Sequence, residues 1–161
     1  MFIFFVGGLC EWHSLALKQE LPPLKLMYTK IDASGERDLF SAPEVNNQYI
    51  VPVHFPLLYD RVDYIIDTGA SITSIPLSLY NKGITNNKPT GQKVEITGVG
   101  GSAGMGDVIL LEYIEIGNIK LTDVEAVICE KCPPLLGQNV LKRLNLRTQN
   151  RDGKNFLIIS H

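Results

Sequence analysis

A short polar turn that directly follows an apolar strand constrains this chain more than any other feature. Residues 62–66 read VDYII, a β-branched run typical of a strand, and Asp67-Thr68-Gly69-Ala70-Ser71 comes next. The Asp67 carboxylate therefore lies where the strand turns, and Gly69 supplies the backbone freedom that a tight turn needs. Asp-Thr-Gly is also an ordinary turn sequence, because Asp bonds its own backbone. The rest of the chain is needed to distinguish a functional aspartate from an ordinary turn.

Length and composition indicate one globular domain with a sizeable core. The chain has 161 residues, of which 45% are hydrophobic and 20% charged, and its formal net charge is -2. Lysine and arginine are scattered and form no basic run, so we expect no nucleic-acid partner.

Apolar residues alternate with polar ones along most of the chain after residue 47, which predicts a mainly-β domain over residues 48–161. Polar, breaker-rich residues 81–91 predict a surface loop, and Gly117-Asn118 predicts a hairpin turn. Apolar spacing predicts one helix over residues 139–146, with Val140, Leu141 and Leu144 in the core. The predicted strands cover residues 48–55, 62–66, 93–96, 107–116, 120–128, 133–137 and 155–160.

Residues 97–106 hold five glycines between two predicted strands. Such a tip predicts a mobile hairpin. A phosphate-binding loop is the competing interpretation, but the G-x-x-x-x-G-K-S/T pattern is missing and a strand follows instead of a helix.

The three cysteines exclude a full disulfide framework, because their number is odd. Cys129 and Cys132 form a CxxC that we interpret as free thiols or as a local disulfide in a turn. A zinc site needs about four ligands; no second CxxC occurs and the three histidines lie far apart in sequence. We therefore expect neither a metal nor another cofactor.

Residues 1–47 differ from the remainder and predict a leader or linker, with a targeting segment or a pro-region as alternatives. A single strand is predicted there over residues 24–31. The apolar start, MFIFFV, is shorter than the roughly 20 residues of a membrane span. Together with the CxxC it favours the cell envelope over the cytoplasm, and it leaves membrane association open.

These features, in this order, resemble the retropepsin-like aspartic proteases, which include retroviral proteases and their bacterial and eukaryotic relatives. The resemblance covers residues 48–161. Asp67-Thr68-Gly69-Ala70 matches the catalytic signature, and Gly98-Val99-Gly100-Gly101 lies where the flap tip would be. Leu135-Leu136-Gly137 matches the element that crosses behind the catalytic loop. The resemblance implies a closed β-barrel with a flap hairpin and one short C-terminal helix.

The chain has one Asp-Thr-Gly motif, whereas pepsin-like enzymes carry two. By resemblance, the enzyme would be a homodimer with one Asp67 from each subunit, hydrolysing an extended peptide or protein substrate. Thr68 would tie the two catalytic loops together, Ala70 and Ser71 would line the floor, and residues 98–101 would close over the substrate. The terminal strand, residues 156–159, would lie in the dimer interface or pair within its own subunit.

Two other functions compete with this one. The first is a peptide-binding module that uses the same dimeric fold without cutting. The second is a serine-dependent hydrolase that uses Ser71 or Ser102, although no G-x-S-x-G elbow is present.

Overall fold

The computed structural model describes residues 2–3, 40–84, 87–98 and 101–161. Within these residues the fold consists of eleven strands and two one-turn helices. The predicted strand over residues 24–31 lies outside them. The strands are β1 (Phe2–Ile3), β2 (Phe40–Val45), β3 (Gln48–His54), β4 (Val62–Ile66), β5 (Thr73–Pro76), β6 (Asn87–Gly98), β7 (Gly101–Ile116), β8 (Ile119–Cys129), β9 (Leu135–Leu136), β10 (Asn145–Arg151) and β11 (Lys154–Ser160); the helices are α1 (Leu77–Tyr80) and α2 (Gln138–Leu141).

All the strands belong to one connected sheet. Its main path runs β1-β6-β7-β3-β2-β11-β10, and β4, β5, β8 and β9 branch from it. The prediction of a mainly-β fold is confirmed. The sheet is not closed among the described residues, however, because its two outermost strands, β1 and β10, do not pair with each other.

Tight turns set the register of the antiparallel pairs. Asn46 and Asn47 both have positive φ between β2 and β3, as do Asp152 and Gly153 between β10 and β11. Two such residues in succession form the turn whose twist matches that of a β-hairpin. The predicted turn at Gly117-Asn118 joins β7 to β8.

Strand β4 separates two buried clusters, because successive side chains on a strand point in opposite directions. Tyr64 enters the main core, which extends from Phe40 on β2 to Ile159 on β11. Ile65 enters a second group, which we call the floor cluster. The floor cluster consists of Ile65, Ala70, Ile72, Val94, Ile96, Val108, Val127, Cys129, Cys132 and Leu135.

The predicted helix over residues 139–146 is too long. α2 ends at Leu141, and β10 begins at Asn145 and pairs along its whole length with β11. The predicted core positions Val140, Leu141 and Leu144 are nevertheless buried. Cross-strand pairing with a distant segment therefore overrides the local helical pattern.

Strand β6 is longer than predicted, because it begins at Asn87 inside the predicted surface loop. Its first half is exposed and polar, and its ladder to β7 supports it, with Asn87 opposite Leu111. The helix α1 (Leu77–Tyr80), which directly precedes the predicted loop, was not predicted.

The terminal strand pairs within its own chain. Both edges of β11 are occupied, one by β10 and the other by β2. Of the two alternatives for residues 156–159, the intramolecular one is therefore the one observed. The partner on one side, β2, comes from residues assigned in sequence to the leader.

Candidate active site

Asp67 lies in a tight turn at the end of β4 and is half-buried. The backbone N–H of Gly69 donates to Oδ1 of Asp67 at 2.8 Å, and the N–H of Ala70 donates to the Asp67 carbonyl at 3.3 Å. These bonds orient the carboxylate with respect to its own backbone. The hydrogen bonds that stabilise an ordinary Asp-Thr-Gly turn therefore also orient the Asp67 carboxylate.

A second segment supports the Asp67 backbone from behind. β9 runs parallel to β4, with Leu135 opposite Ile65 and Leu136 opposite Ile66. The pairing continues into the turn, because the N–H of Asp67 donates to the Leu136 carbonyl at 3.1 Å. Leu135 and Leu136 are both buried. The structure therefore brings the predicted Leu-Leu-Gly element directly against the predicted catalytic loop.

Gly137 allows the two segments to approach closely. A Cβ atom added at Gly137 would lie 2.5 Å from the carbonyl carbon of Ile72 and 2.6 Å from its oxygen. No side chain fits against backbone at that distance, so only glycine is compatible with this crossing.

Helix α2 begins at this crossing and holds the loop of residues 67–71, the predicted catalytic loop. Its first N–H groups, which have no partner inside a helix, donate to the loop. The N–H of Gln138 donates to the Ala70 carbonyl at 2.8 Å, and the N–H of Asn139 donates to the Ser71 carbonyl at 3.2 Å. The Gln138 side-chain amide also donates to the Thr68 carbonyl at 2.9 Å.

The half-buried Asn139 and the buried Thr73 complete the attachment. Oδ1 of Asn139 accepts from the N–H and the hydroxyl of Thr73, at 2.9 and 3.0 Å, and its amide donates to the Glu125 carbonyl at 2.6 Å. The Thr73 hydroxyl in turn accepts from the N–H of Gly137 at 3.2 Å. One asparagine therefore joins α2, β5 and β8. We call residues 67–74 with residues 133–139 the floor.

Ser74 makes a similar connection. Its hydroxyl donates to the Pro133 carbonyl at 2.6 Å and accepts from the N–H of Leu135 at 3.1 Å. Sequence analysis did not identify Thr73, Ser74, Gln138 or Asn139. The available signals were two hydroxyl residues between Ile72 and Ile75, and a Gln-Asn pair that follows Leu-Leu-Gly.

The glycine-rich segment forms a hairpin of β6 and β7. Gly98 pairs with Gly101 at its end, and the predicted tip residues Val99 and Gly100 lie outside the described residues. The base of this flap hairpin contacts the floor, because Val94 and Ile96 pack in the floor cluster with Ala70. The structure thus places a hairpin over the cluster that underlies the catalytic loop.

Behind the site the surroundings are apolar. Tyr64 is fully buried, its ring lies 5.5 Å from that of Phe55, and burial raises the pKa of its hydroxyl. The tyrosine therefore remains protonated and contributes no charge to the main core, in which it packs.

The two cysteines of the CxxC form a disulfide. Both are buried in the floor cluster, where they close the loop between β8 and the Pro133-Pro134 segment. Of the two sequence interpretations, the local disulfide is the one observed.

The ring of His54 forms its hydrogen bonds with residues other than serine. Its Nδ1 lies 3.2 Å from Oε2 of Glu115, and its Nε2 lies 3.1 Å from the Leu58 carbonyl. Both ring nitrogens are thus engaged, which argues against His54 as the base of a serine hydrolase. No cluster of three or more metal-binding side chains occurs in the described ranges. No helix in the same ranges is long and apolar enough to cross a membrane.

Comparison with known proteins agrees with this geometry. Residues 59–143, slightly more than half of the chain, match the family described as "gag-polyprotein putative aspartyl protease". No curated protein matches the chain.

Among solved structures, the chain is similar to a retropepsin-like aspartic protease from Rickettsia conorii. The TM-score is 0.54 at 15% identity, over 76% of this chain and 92% of that one. The protease of EIAV, solved with the inhibitor HBY-793, gives a TM-score of 0.42 at 15% identity, over 71% of this chain and 93% of that one. From the family match, we conclude that this chain belongs to the gag-polyprotein aspartyl protease family and has a retropepsin-like fold.

Proposed function

We propose that this protein is an aspartic endopeptidase that acts as a homodimer. The observation that carries the proposal is the half-buried Asp67 carboxylate, which a Gly69 N–H orients on a floor held by backbone bonds. The chain has one Asp-Thr-Gly motif, so the second carboxylate has to come from a second copy.

Two carboxylates brought together at a two-fold axis share one proton, because both cannot be ionised cheaply at short range. The ionised Asp67 takes a proton from a water molecule, and the protonated Asp67 of the other subunit polarises the scissile carbonyl. This is the general logic of aspartic proteases. Because the mechanism needs one protonated and one ionised carboxyl group, cleavage is expected to be fastest at mildly acidic pH.

Other residues of the site have supporting roles in this proposal. Thr68 is exposed in the single chain, next to the half-buried Asp67, where a second subunit would cover it and its hydroxyl could join the two loops. Ala70 and Ser71 line the floor under the substrate. Residues 98–101 close over the peptide, which lies extended and exposes little of the reacting bond to water.

The test is cleavage of a mixed peptide library by the wild-type chain and by Asp67→Asn, from pH about 3 to 8. Asn has nearly the same size but cannot ionise, so we expect kcat/KM to fall by ~1000-fold or more. Asp123→Asn is the matched control: Asp123 is exposed with φ 53°, a conformation that asparagine tolerates, and its cleavage rate should be unchanged.

A statine-type inhibitor should block the wild-type reaction. Equal cleavage by wild type and Asp67→Asn would contradict the proposal. If neither chain cleaves any peptide but both bind the same extended peptides, the protein is a binding module on this fold.

A further inference from the structure

The outer edge of β6 is occupied by the beginning of the chain itself. β6 pairs with β7 on one edge, and on the other edge it pairs with β1 in parallel, with Phe2 opposite Glu95 and Ile3 opposite Ile96. The occupied positions lie on the strand that leads to Gly98 at the end of the flap hairpin.

This edge lies beside the candidate active site. Val94 and Ile96 point into the floor cluster, in which Ala70 of the catalytic loop also packs, while Glu95 between them is exposed. A segment paired at residues 95–96 therefore runs along the side of the hairpin whose base rests on the floor.

We propose that β1 is an intramolecular competitor of the substrate. In this proposal, the N-terminal residues add a strand to the flap hairpin at the edge where an extended substrate would add one. They therefore reduce the binding of the substrate. The inference rests on the proposed function, because it concerns the regulation of that site. Strand addition to a free sheet edge is a general mode of peptide binding, in which backbone bonds give the affinity.

The parallel direction of β1 is compatible with this role. A two-fold axis reverses the direction of β6 between the subunits of the proposed dimer, whereas a peptide crossing the axis keeps one direction. Such a peptide runs parallel to one β6 and antiparallel to the other. The pairing seen here is thus one of the two that a substrate would make.

Two features make β1 displaceable. Among the described residues, its pairing consists of Phe2 and Ile3 and is parallel, the slightly weaker arrangement. In addition, the hydroxyl of Thr97, the next residue along β6, is buried without a hydrogen-bond partner in the described part of the chain. A longer extended peptide that reaches Thr97 could satisfy this hydroxyl.

The sequence of the first residues, MFIFFV, also indicates the chemistry of the preferred occupant. It is uncharged and rich in aromatic and β-branched residues, which have high β-propensity. We therefore expect the edge to favour extended, apolar peptide segments.

The test compares two full-length double variants with the wild type. Phe2→Pro with Ile3→Pro removes both N–H groups of β1 and disfavours pairing, whereas Phe2→Tyr with Ile3→Val retains them as the matched control. Loss of a competitor leaves kcat unchanged and lowers KM, by about threefold to tenfold if β1 occupies the edge for most of the time. The conservative double variant should keep the wild-type KM.

Hydrogen exchange gives a readout independent of cleavage. In an Asp67→Asn background, amides in residues 94–97 should exchange faster when the two prolines are present, while those of β8 remain protected as a control for folding. If cleavage occurs but KM and the exchange of residues 94–97 do not change, the inference is wrong and the proposed function stands. If no variant cleaves, the proposed function fails, and the exchange data alone decide whether β1 occupies the edge.

Discussion

The two sides of the candidate site, the floor and the flap hairpin, are held in different ways. In the floor, hydrogen bonds cross between distant parts of the chain: Asp67 to Leu136, Gln138 to Ala70, and Asn139 to Thr73 and Glu125. Beyond Ile96 the flap hairpin depends on its own ladder, whose register shifts between Ile96 and Thr97. We therefore assign different roles to the floor and the flap hairpin. In the proposed function, the floor fixes the carboxylate and the flap hairpin bends to admit and release a peptide.

Adding a methyl group to the floor should have the largest effect on stability. In Gly137→Ala the new Cβ would overlap the Ile72 backbone, which cannot move without displacing the catalytic loop. We expect a loss of about 3 kcal/mol in the free energy of unfolding, together with loss of cleavage. Urea denaturation followed by circular dichroism measures the first and a peptide assay the second. An unfolding free energy equal to that of wild type would show that the two segments do not cross as closely as described.

Removing the central amide of the floor should have the next largest effect. Asn139→Ala leaves the buried N–H of Thr73 without its acceptor and the Glu125 carbonyl without its donor. We expect a loss of about 2 kcal/mol, measured in the same denaturation assay. Gln149→Ala, which removes an exposed amide on β10 whose oxygen accepts from the Arg151 side chain, is the control and should cost less than about 0.5 kcal/mol. Equal effects of the two substitutions would contradict the role assigned to Asn139.

The same glycine-to-alanine change in the flap hairpin should have the smallest effect on stability. Gly104 has φ 104°, but an added Cβ would meet no atom within 4 Å. Only the backbone strain remains, about 1 kcal/mol. Because the strain lies in the segment that the proposed function requires to close over the peptide, kcat/KM should fall by more than the stability change suggests. If Gly104→Ala destabilised the protein as much as Gly137→Ala, the contrast between floor and flap would be wrong.

The same contrast explains what the sequence could predict. Strand β4, the turn at Asp67 and the Leu-Leu-Gly element depend on local residue order. Strand β4 was predicted with its observed boundaries, and the short strand predicted over residues 133–137 contains β9. Their mutual placement followed only from the resemblance to a known family, because no local pattern indicates that Leu136 pairs beside Ile66.

The sequence-based predictions fail where pairing with a distant segment of the chain determines the structure. The polar residues at the start of β6 read as a loop and become a strand through their ladder to β7. The helical spacing after Gly137 ends early, because β10 pairs with β11. Asn139 was missed since its role depends on Thr73 and Glu125, which lie 66 and 14 residues away along the chain.

The central claim, that each active site contains one Asp67 from each of two chains, is tested most directly by mixing subunits. Wild-type and Asp67→Asn chains are combined at constant total concentration, allowed to exchange subunits, and assayed for peptide cleavage. If both carboxylates are required, activity follows the square of the wild-type fraction, and an equal mixture retains about one quarter of the wild-type rate. A linear decrease, with about one half retained at equal mixing, would show that a single chain is sufficient and would contradict the account.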